Sequence, residues 1–322
     1  MSAPDPFPTS VRAVRLRRSV LATPGSNPAM LAKAAASAAD VALLDLEDGV
    51  APDRKDDARR AVAEALATLD WSGKTTAVRI NAVDTAAAHA DILAVLPARP
   101  DLIVVPKVRH PRDVWFVETL LDALEDPAGQ APPIGIEALI EDVAGLTRAE
   151  EVARCSPRLE ALIFGPGDMA ASQGVPPSAA LDPRVWAYAR SRIVVAARAA
   201  GIEAIDGPFP DYRDEAGLLR EAAEAADQGY SGKWAIHPGQ LTPINRVFAP
   251  SAEDVAWARH LAGVHEEALR RRQGATGVDG RMLDAATLRV VQGILAKAEL
   301  IGPDQEGDSC RTTPSTPPSG AA

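Results

Sequence analysis

Eight short apolar runs, each followed by a longer amphipathic stretch, constrain the fold of this chain more than any other feature. The runs are SVLATP (19–24), VALLDLED (41–48), TAVRIN (76–81), LIVVPKV (102–108), IGIEALIE (134–141), ALIFGPGD (161–168), IEAIDGP (202–208) and GKWAIHP (232–238). They are continuously apolar rather than alternating, the pattern of parallel strands covered on both faces. The stretches between them carry helix signals. Asn27-Pro28 opens the first, Ala51-Pro52 the second, and Asp84 is placed to cap the third. Another runs from Pro183 to Ala200 and stops at Gly201. Eight β/α units in strict alternation predict a closed TIM (β/α)8 barrel of the α/β class. A doubly wound open sheet is the alternative, and it requires a reversal of strand order that a sequence does not display.

After Pro238 the pattern changes. Residues 251–272 read as a long helix capped by Ser251, 274–284 (GATGVDGRMLD) as a glycine-rich loop, and 286–302 as a second helix ended by Gly302-Pro303. The expected organisation is a flexible N-terminus (1–14), a barrel domain (15–248), a helical extension with a glycine-hinged loop (249–302) and a Pro/Ser/Thr-rich disordered tail (303–322). A length of 322 residues suits one barrel plus an appendage, since barrels run to ~250 residues. Aromatics supply only 4% of the chain against 47% hydrophobic residues, so small aliphatics should fill the core.

A net charge of −10 speaks against nucleic acid as a partner, while leaving room for a local basic pocket. Two cysteines, Cys155 and Cys310, give no disulfide framework or thiolate metal site. No apolar run approaches the ~18 residues needed to cross a bilayer, and the N-terminus lacks the features of a signal peptide. Together these predict a soluble, cytoplasmic protein without a membrane partner.

In a barrel enzyme the chemistry sits at the C-terminal ends of the strands. Here those ends carry Asp45, Glu47, Asp48, Arg79, Asn81, Lys107, Glu141, Asp168, Asp206 and His237. Glu141 and Asp168 end adjacent strands, where they would repel unless one were protonated or a cation lay between them. Oxygen-only ligands favour Mg²⁺. Arg79 can grip a substrate carboxylate or pair with Asp45 or Glu47, and both can hold at once. The acidic run 45–48 reads equally as a helix-entry cluster. The turn TPGSNP (23–28) runs into a helix N-terminus suited to phosphate, with Arg15, Arg17 and Arg18 before it and Lys33 after, though Pro-Gly-Ser is also ordinary punctuation. His237 either shapes its turn or does acid–base work. No G-x-S-x-G elbow is present.

These motifs resemble a known family. RRSVLATPGSN, VALLDLEDGVAP, VRIN, VPKV, the glutamate of ALIED, GPGDMAAS, DGP and GKWAIHPGQ are similar to the citrate lyase β-subunit-like (CitE-like) acyl-CoA lyases of the HpcH/HpaI aldolase superfamily. The closing GRMLD and SPRL resemble its malyl-CoA-cleaving branch. The resemblance spans roughly residues 15–302. It implies Mg²⁺, replaceable by Mn²⁺, on Glu141 and Asp168. It places Arg79, Gly167 and Asp168 around the oxo acid, and Ala22, Asn27, Lys33, Ile236 and His237 along the acyl-CoA. Asp284 falls where the family carries a catalytic aspartate on a lid shared between subunits, which implies a homotrimer or homohexamer. Asp45 and Glu47 would orient Arg79.

The implied reaction is reversible cleavage of (S)-malyl-CoA or β-methylmalyl-CoA to glyoxylate and acetyl-CoA or propionyl-CoA, coenzyme A entering as part of the substrate. Asp284 would protonate the acyl-CoA carbon on cleavage and deprotonate it on condensation. The alternatives are a citramalyl-CoA lyase, a malyl-CoA thioesterase, and a citrate lyase β-type subunit working with a carrier protein.

Overall fold

The computed structural model describes residues 15–125, 132–180, 182–270, 276–278 and 281–302. Eight parallel strands close into a barrel in sequence order: β1 (Ser19–Pro24), β2 (Val41–Asp45), β3 (Thr75–Arg79), β4 (Leu102–Val105), β5 (Gly135–Ile140), β6 (Leu159–Phe164), β7 (Glu203–Asp206) and β8 (Gly232–Ala235). β8 returns to β1 through the pairing of Val20 with Trp234, so the sheet has no edge and the open-sheet alternative falls.

Strand residues alternate between the interior and the surrounding helices. The interior holds Val20, Val41, Leu43, Ala77, Leu102, Val104, Leu139, Ala161, Ile163, Ile205 and Trp234. Small aliphatics fill it as expected, with one aromatic among these residues. The same parity carries Asp45 (two beyond Leu43), Arg79 (two beyond Ala77) and Glu141 (two beyond Leu139) inward at the mouth.

The helices begin largely as the sequence signals. Asn27 caps Pro28–Ala35 by accepting from the Met30 N–H, and Ala51 precedes the 3₁₀ turn Pro52–Arg54 that leads into Lys55–Thr68. The cap of Ala86–Val95 is Thr85 rather than Asp84, and it makes no side-chain cap bond. Residues 183–199 form a 3₁₀ turn, Pro183–Trp186, before the α-helix Ala187–Ala199, and Gly201 follows at φ 67°.

The three arginines expected near the first β/α turn lie at the opposite end of β1. Arg17 pairs with Glu137 at 2.9 Å and with Glu160, and Arg15 reaches Glu160 at 3.2 Å and Asp101 at 3.0 Å. Arg18 pairs with Asp40 at 2.8 Å. These ion pairs belong to the barrel floor. A six-residue strand spans about 20 Å, so neighbours in sequence sit at opposite ends of the barrel.

The chain separates into two compact units between Asn245 and Arg246. In the second, helices Ala252–Arg270 and Ala285–Ile301 pack through Ala258, Leu261 and Val291, joined by Leu288, Ile294 and Leu295. Ser251 accepts the Asp254 N–H at 3.0 Å at the start of the first helix. The expected loop contains a two-stranded antiparallel ribbon, β9 (Thr276–Val278) and β10 (Arg281–Leu283). Residues 1–14 and 303–322 (with Cys310), expected to be a flexible N-terminus and a disordered tail, and residues 274–275 and 279–280 of the loop lie outside the described residues. Among the described residues no helix is long and apolar enough to cross a membrane.

Candidate active site

The strands stop earlier than the apolar runs suggest. Glu47, Asn81, Lys107, Glu141 and His237 therefore stand in the loops that crown the barrel, and Asp168 in the first turn of helix Pro166–Gln173. Asp45 and Arg79 are register partners on β2 and β3. Arg79 Nε donates to Asp45 Oδ1 and Nη2 to Oδ2, both at 2.7 Å, a bidentate pair. The backbone N–H groups of Glu47 and Gly49 also donate to Asp45, each at 2.9 Å. Burial pushes the Asp45 carboxyl upward, but these donors and the Arg79 charge outweigh it and hold it below its ordinary value.

Glu47 bridges two cations. Lys107 Nζ donates to its Oε1 at 2.7 Å, and Arg79 Nη1 lies 3.1 Å from its Oε2. That second approach is within ion-pair range but misaligned, so Oε2 is buried with no hydrogen-bond partner among the described residues. Burial raises the Glu47 carboxyl, and the two cations only partly oppose it. Lys107 occupies the left-handed region at φ 53°, unusual for a side chain with a Cβ. The strained turn aims its backbone N–H at Glu141 Oε1 (2.9 Å) while its ammonium reaches Glu47.

Glu141 is only 4% exposed. Burial, with the nearby charges of Glu47 and Asp168, pushes its carboxyl up to about 8 despite the Lys107 N–H and Arg79. Room for it depends on Gly165: a Cβ there would meet Glu141 Cβ and Oε2 at 2.5 Å. Gly25, in the first β/α turn, is a packing requirement in the same way, since a Cβ would lie 2.7 Å from Asp45 O and from Val62.

The mouth thus gathers five carboxyl groups (Asp45, Glu47, Asp48, Glu141, Asp168) around Arg79, Lys107 and Lys55, whose ammonium donates to the Leu46 and Glu47 carbonyls at 2.7 Å. A carboxyl raised by burial and by its acidic neighbours, and a carboxylate oxygen without a donor, are what a cation would relieve. Among the described residues no cluster of three or more His, Cys, Asp or Glu forms a ready ligand set. The carboxylate oxygens of the mouth nevertheless fit Mg²⁺, which takes one or two carboxylates and completes its shell with water or substrate.

The acyl-CoA candidates flank this centre on adjacent strands. Ala22 is half-buried on β1, Asn27 and Lys33 are exposed in and after the turn that follows, and Ile236 and His237 are exposed after β8. Gly167 is exposed beside Asp168, with open space where a Cβ would go. His237 stacks on Tyr212 with ring centroids 4.9 Å apart, and its Nδ1 accepts the Gly239 N–H at 3.1 Å. Asp206 does not join the mouth. It follows the inward Ile205, so it points outward into a buried network with Arg190 (3.0 Å) and Lys233 (2.5 Å). Asn81 likewise donates to the Leu46 carbonyl and Asp91, bracing the loop from outside. Asp284 is exposed in the second unit and caps helix Ala285–Ile301 by accepting the Thr287 N–H at 2.8 Å.

Sequence reasoning left three contributors without a role. The Lys107 turn is invisible because left-handed backbone is unexpected at lysine. Gly165 has no φ signature, and Trp234 reads as an ordinary core residue.

A closed parallel barrel with a buried carboxylate–arginine grip at its C-terminal mouth defines a TIM-barrel enzyme. The profile of the HpcH/HpaI aldolase/citrate lyase family matches residues 18–238, and the chain belongs to that family. The chain is similar to the L-malyl-CoA/beta-methylmalyl-CoA lyase of Cereibacter sphaeroides, 41% identical over 307 residues, covering 89% of this chain and 96% of that one. It is 35% identical over 296 residues to the mitochondrial citramalyl-CoA lyase of Rattus norvegicus, covering 88% of this chain and 87% of the relative. Its fold resembles CitE from Mycobacterium tuberculosis in complex with magnesium, acetoacetate and coenzyme A. There the TM-score is 0.69 at 33% identity, covering 87% of this chain and 97% of that one.

Proposed function

We propose that this protein is a Mg²⁺-dependent acyl-CoA lyase that reversibly cleaves (S)-malyl-CoA or β-methylmalyl-CoA to glyoxylate and acetyl-CoA or propionyl-CoA. The observation that carries this reading is the buried grip of Asp45 and Glu47 on Arg79, beside a Glu141 carboxyl that burial, with its acidic neighbours, raises well above the usual carboxylate range. The 41% identity with a malyl-CoA/beta-methylmalyl-CoA lyase over 89% of the chain supports the choice of substrate.

Glu141 and Asp168 would hold Mg²⁺, which when bound supplies a Lewis acid for the substrate's hydroxyl and carboxylate oxygens. Asp45 takes two N–H groups of Arg79, leaving Nη1 and the second N–H of Nη2 for the oxo acid. Arg79 thereby stabilises the charge on the oxygen that becomes the carbonyl. Its charge is secure: burial lowers its proton affinity, but Asp45, Glu47 and Glu141 more than restore it. On cleavage the hydroxyl proton passes to water, the oxygen's electron pair becomes the carbonyl as the bond to the thioester's α-carbon breaks, and Asp284 in its acid form gives that carbon a proton. On condensation Asp284 removes the same proton. Ala22, Asn27, Lys33, Ile236 and His237 line the acyl-CoA, and Gly167 with Asp168 the oxo acid. Asp284 reaches the barrel of a neighbouring subunit in a homotrimer or homohexamer, and the protein works in the cytoplasm.

The kcat/KM for (S)-malyl-CoA is expected to exceed that for citramalyl-CoA. Faster pyruvate release from citramalyl-CoA would move the assignment toward the rat relative's reaction, and free CoA without an oxo acid would indicate a thioesterase. Arg79→Lys keeps a charge but loses the planar fork, so kcat should fall by about tenfold or more. A smaller fall removes Arg79 from the chemistry. Gly165→Ala should leave a folded protein whose Mg²⁺ affinity, read by calorimetry, falls by about tenfold or more as Glu141 is displaced. Unchanged affinity would separate Glu141 from the cation.

A further inference from the structure

Arg79 is held by two carboxylates and an aromatic ring, for Glu47 also lies 3.1 Å from its Nη1. Asp45 grips the guanidinium along its edge, while its Cζ lies over the Trp234 ring, 5.6 Å from the ring centroid. A bidentate carboxylate fixes a guanidinium in its own plane but leaves it free to swing about the axis joining the two groups. An aromatic ring within cation–π range favours one tilt over the others, by an attraction that grows with desolvation. Trp234 is 4% exposed and belongs to the interior layer from β8, which is otherwise aliphatic. As a filler the indole is a poor choice, because its Nε1 is buried with no partner among the described residues. An aliphatic side chain would fill the space without leaving a donor unpaired.

We propose that Trp234 is a positioning residue for Arg79, setting the tilt that aims the remaining N–H groups at the oxo acid. This rests on the reading of Arg79 as the oxo acid's partner. Trp234 touches no substrate in this account; it acts through the guanidinium. Loss of the aromatic face should weaken capture of the oxo acid without affecting the acyl-CoA.

The test is steady-state kinetics of Trp234→Phe and Trp234→Met in the condensation direction, with glyoxylate and acetyl-CoA varied separately. Trp234→Met should raise the KM for glyoxylate about tenfold and lower kcat, with the KM for acetyl-CoA within about twofold of wild type. Trp234→Phe, which restores a face, should recover most of the loss. Wild-type glyoxylate kinetics in Trp234→Met, or equal damage in both variants, would overturn the proposal. If Trp234→Met does not fold, Trp234→Leu replaces it. A second readout needs no turnover: the ¹⁵N–¹H signal of the Arg79 Nε–H group, assigned by its loss in Arg79→Lys. It should move in Trp234→Met and stay near its place in Trp234→Phe. If the wild-type protein condenses nothing, the lyase reading fails, and the spectrum still decides the positioning role: an unmoved signal in Trp234→Met overturns it.

Discussion

Glu141→Gln should lower kcat by about 10³-fold or more and leave the protein folded, because on the proposed reading it removes a carboxylate ligand and several kcal/mol of Lewis-acid stabilisation. Glutamine has nearly the shape of glutamate, and its carbonyl can still accept the Lys107 N–H. What it cannot do is hold a cation with a full charge. The same substitution has a pH signature. The Glu141 carboxyl is raised from 4.5 to about 8 in the fold, so between those values the folded state keeps a proton that the unfolded state releases. Stability of the metal-free wild type should therefore fall as pH rises from about 5 to about 8, relative to Glu141→Gln. Mg²⁺ binds the deprotonated form and should stabilise the wild type increasingly across that window. Thermal unfolding with EDTA and with Mg²⁺ checks both. A wild type that tracks Glu141→Gln at every pH would mean that Glu141 is neither strained nor a ligand.

Asp284→Asn carries the second large effect. Asp284 accepts the Thr287 N–H as a helix cap, and asparagine caps about as well, so a purely structural aspartate predicts no change. If Asp284 is the general acid and base proposed above, its conversion to asparagine should cost about 10²- to 10⁴-fold in kcat, with the KM for malyl-CoA little altered. Asp284→Ala should match that loss in rate and cost a further ~1 kcal/mol of stability for the cap. Full activity in Asp284→Asn would return the residue to its structural role.

The barrel was legible because burial on both faces leaves continuous apolar runs, and eight of them in alternation with helices have few other solutions. The inward set at the mouth was legible too, since Asp45, Arg79 and Glu141 each follow an interior residue by two. Asp206 shows where strand ends alone mislead: one residue beyond Ile205, it faces the helices. The arginines before β1 were misplaced because adjacency in sequence ignores the rise of an extended strand. The ribbon within 274–284 was hidden by glycines that usually mark loops. No pattern in the sequence announces the left-handed Lys107, the space that Gly165 leaves for Glu141, or the indole beneath Arg79. Each depends on a contact between strands far apart in the chain.

Release of glyoxylate from (S)-malyl-CoA by the purified protein, trapped as its phenylhydrazone with Mg²⁺ and again with EDTA, tests the central claim most directly. The expected result is glyoxylate with Mg²⁺, its loss with EDTA, and its return when Mg²⁺ is restored. Glyoxylate release that EDTA leaves untouched, or none under any condition, would contradict a Mg²⁺-dependent malyl-CoA lyase.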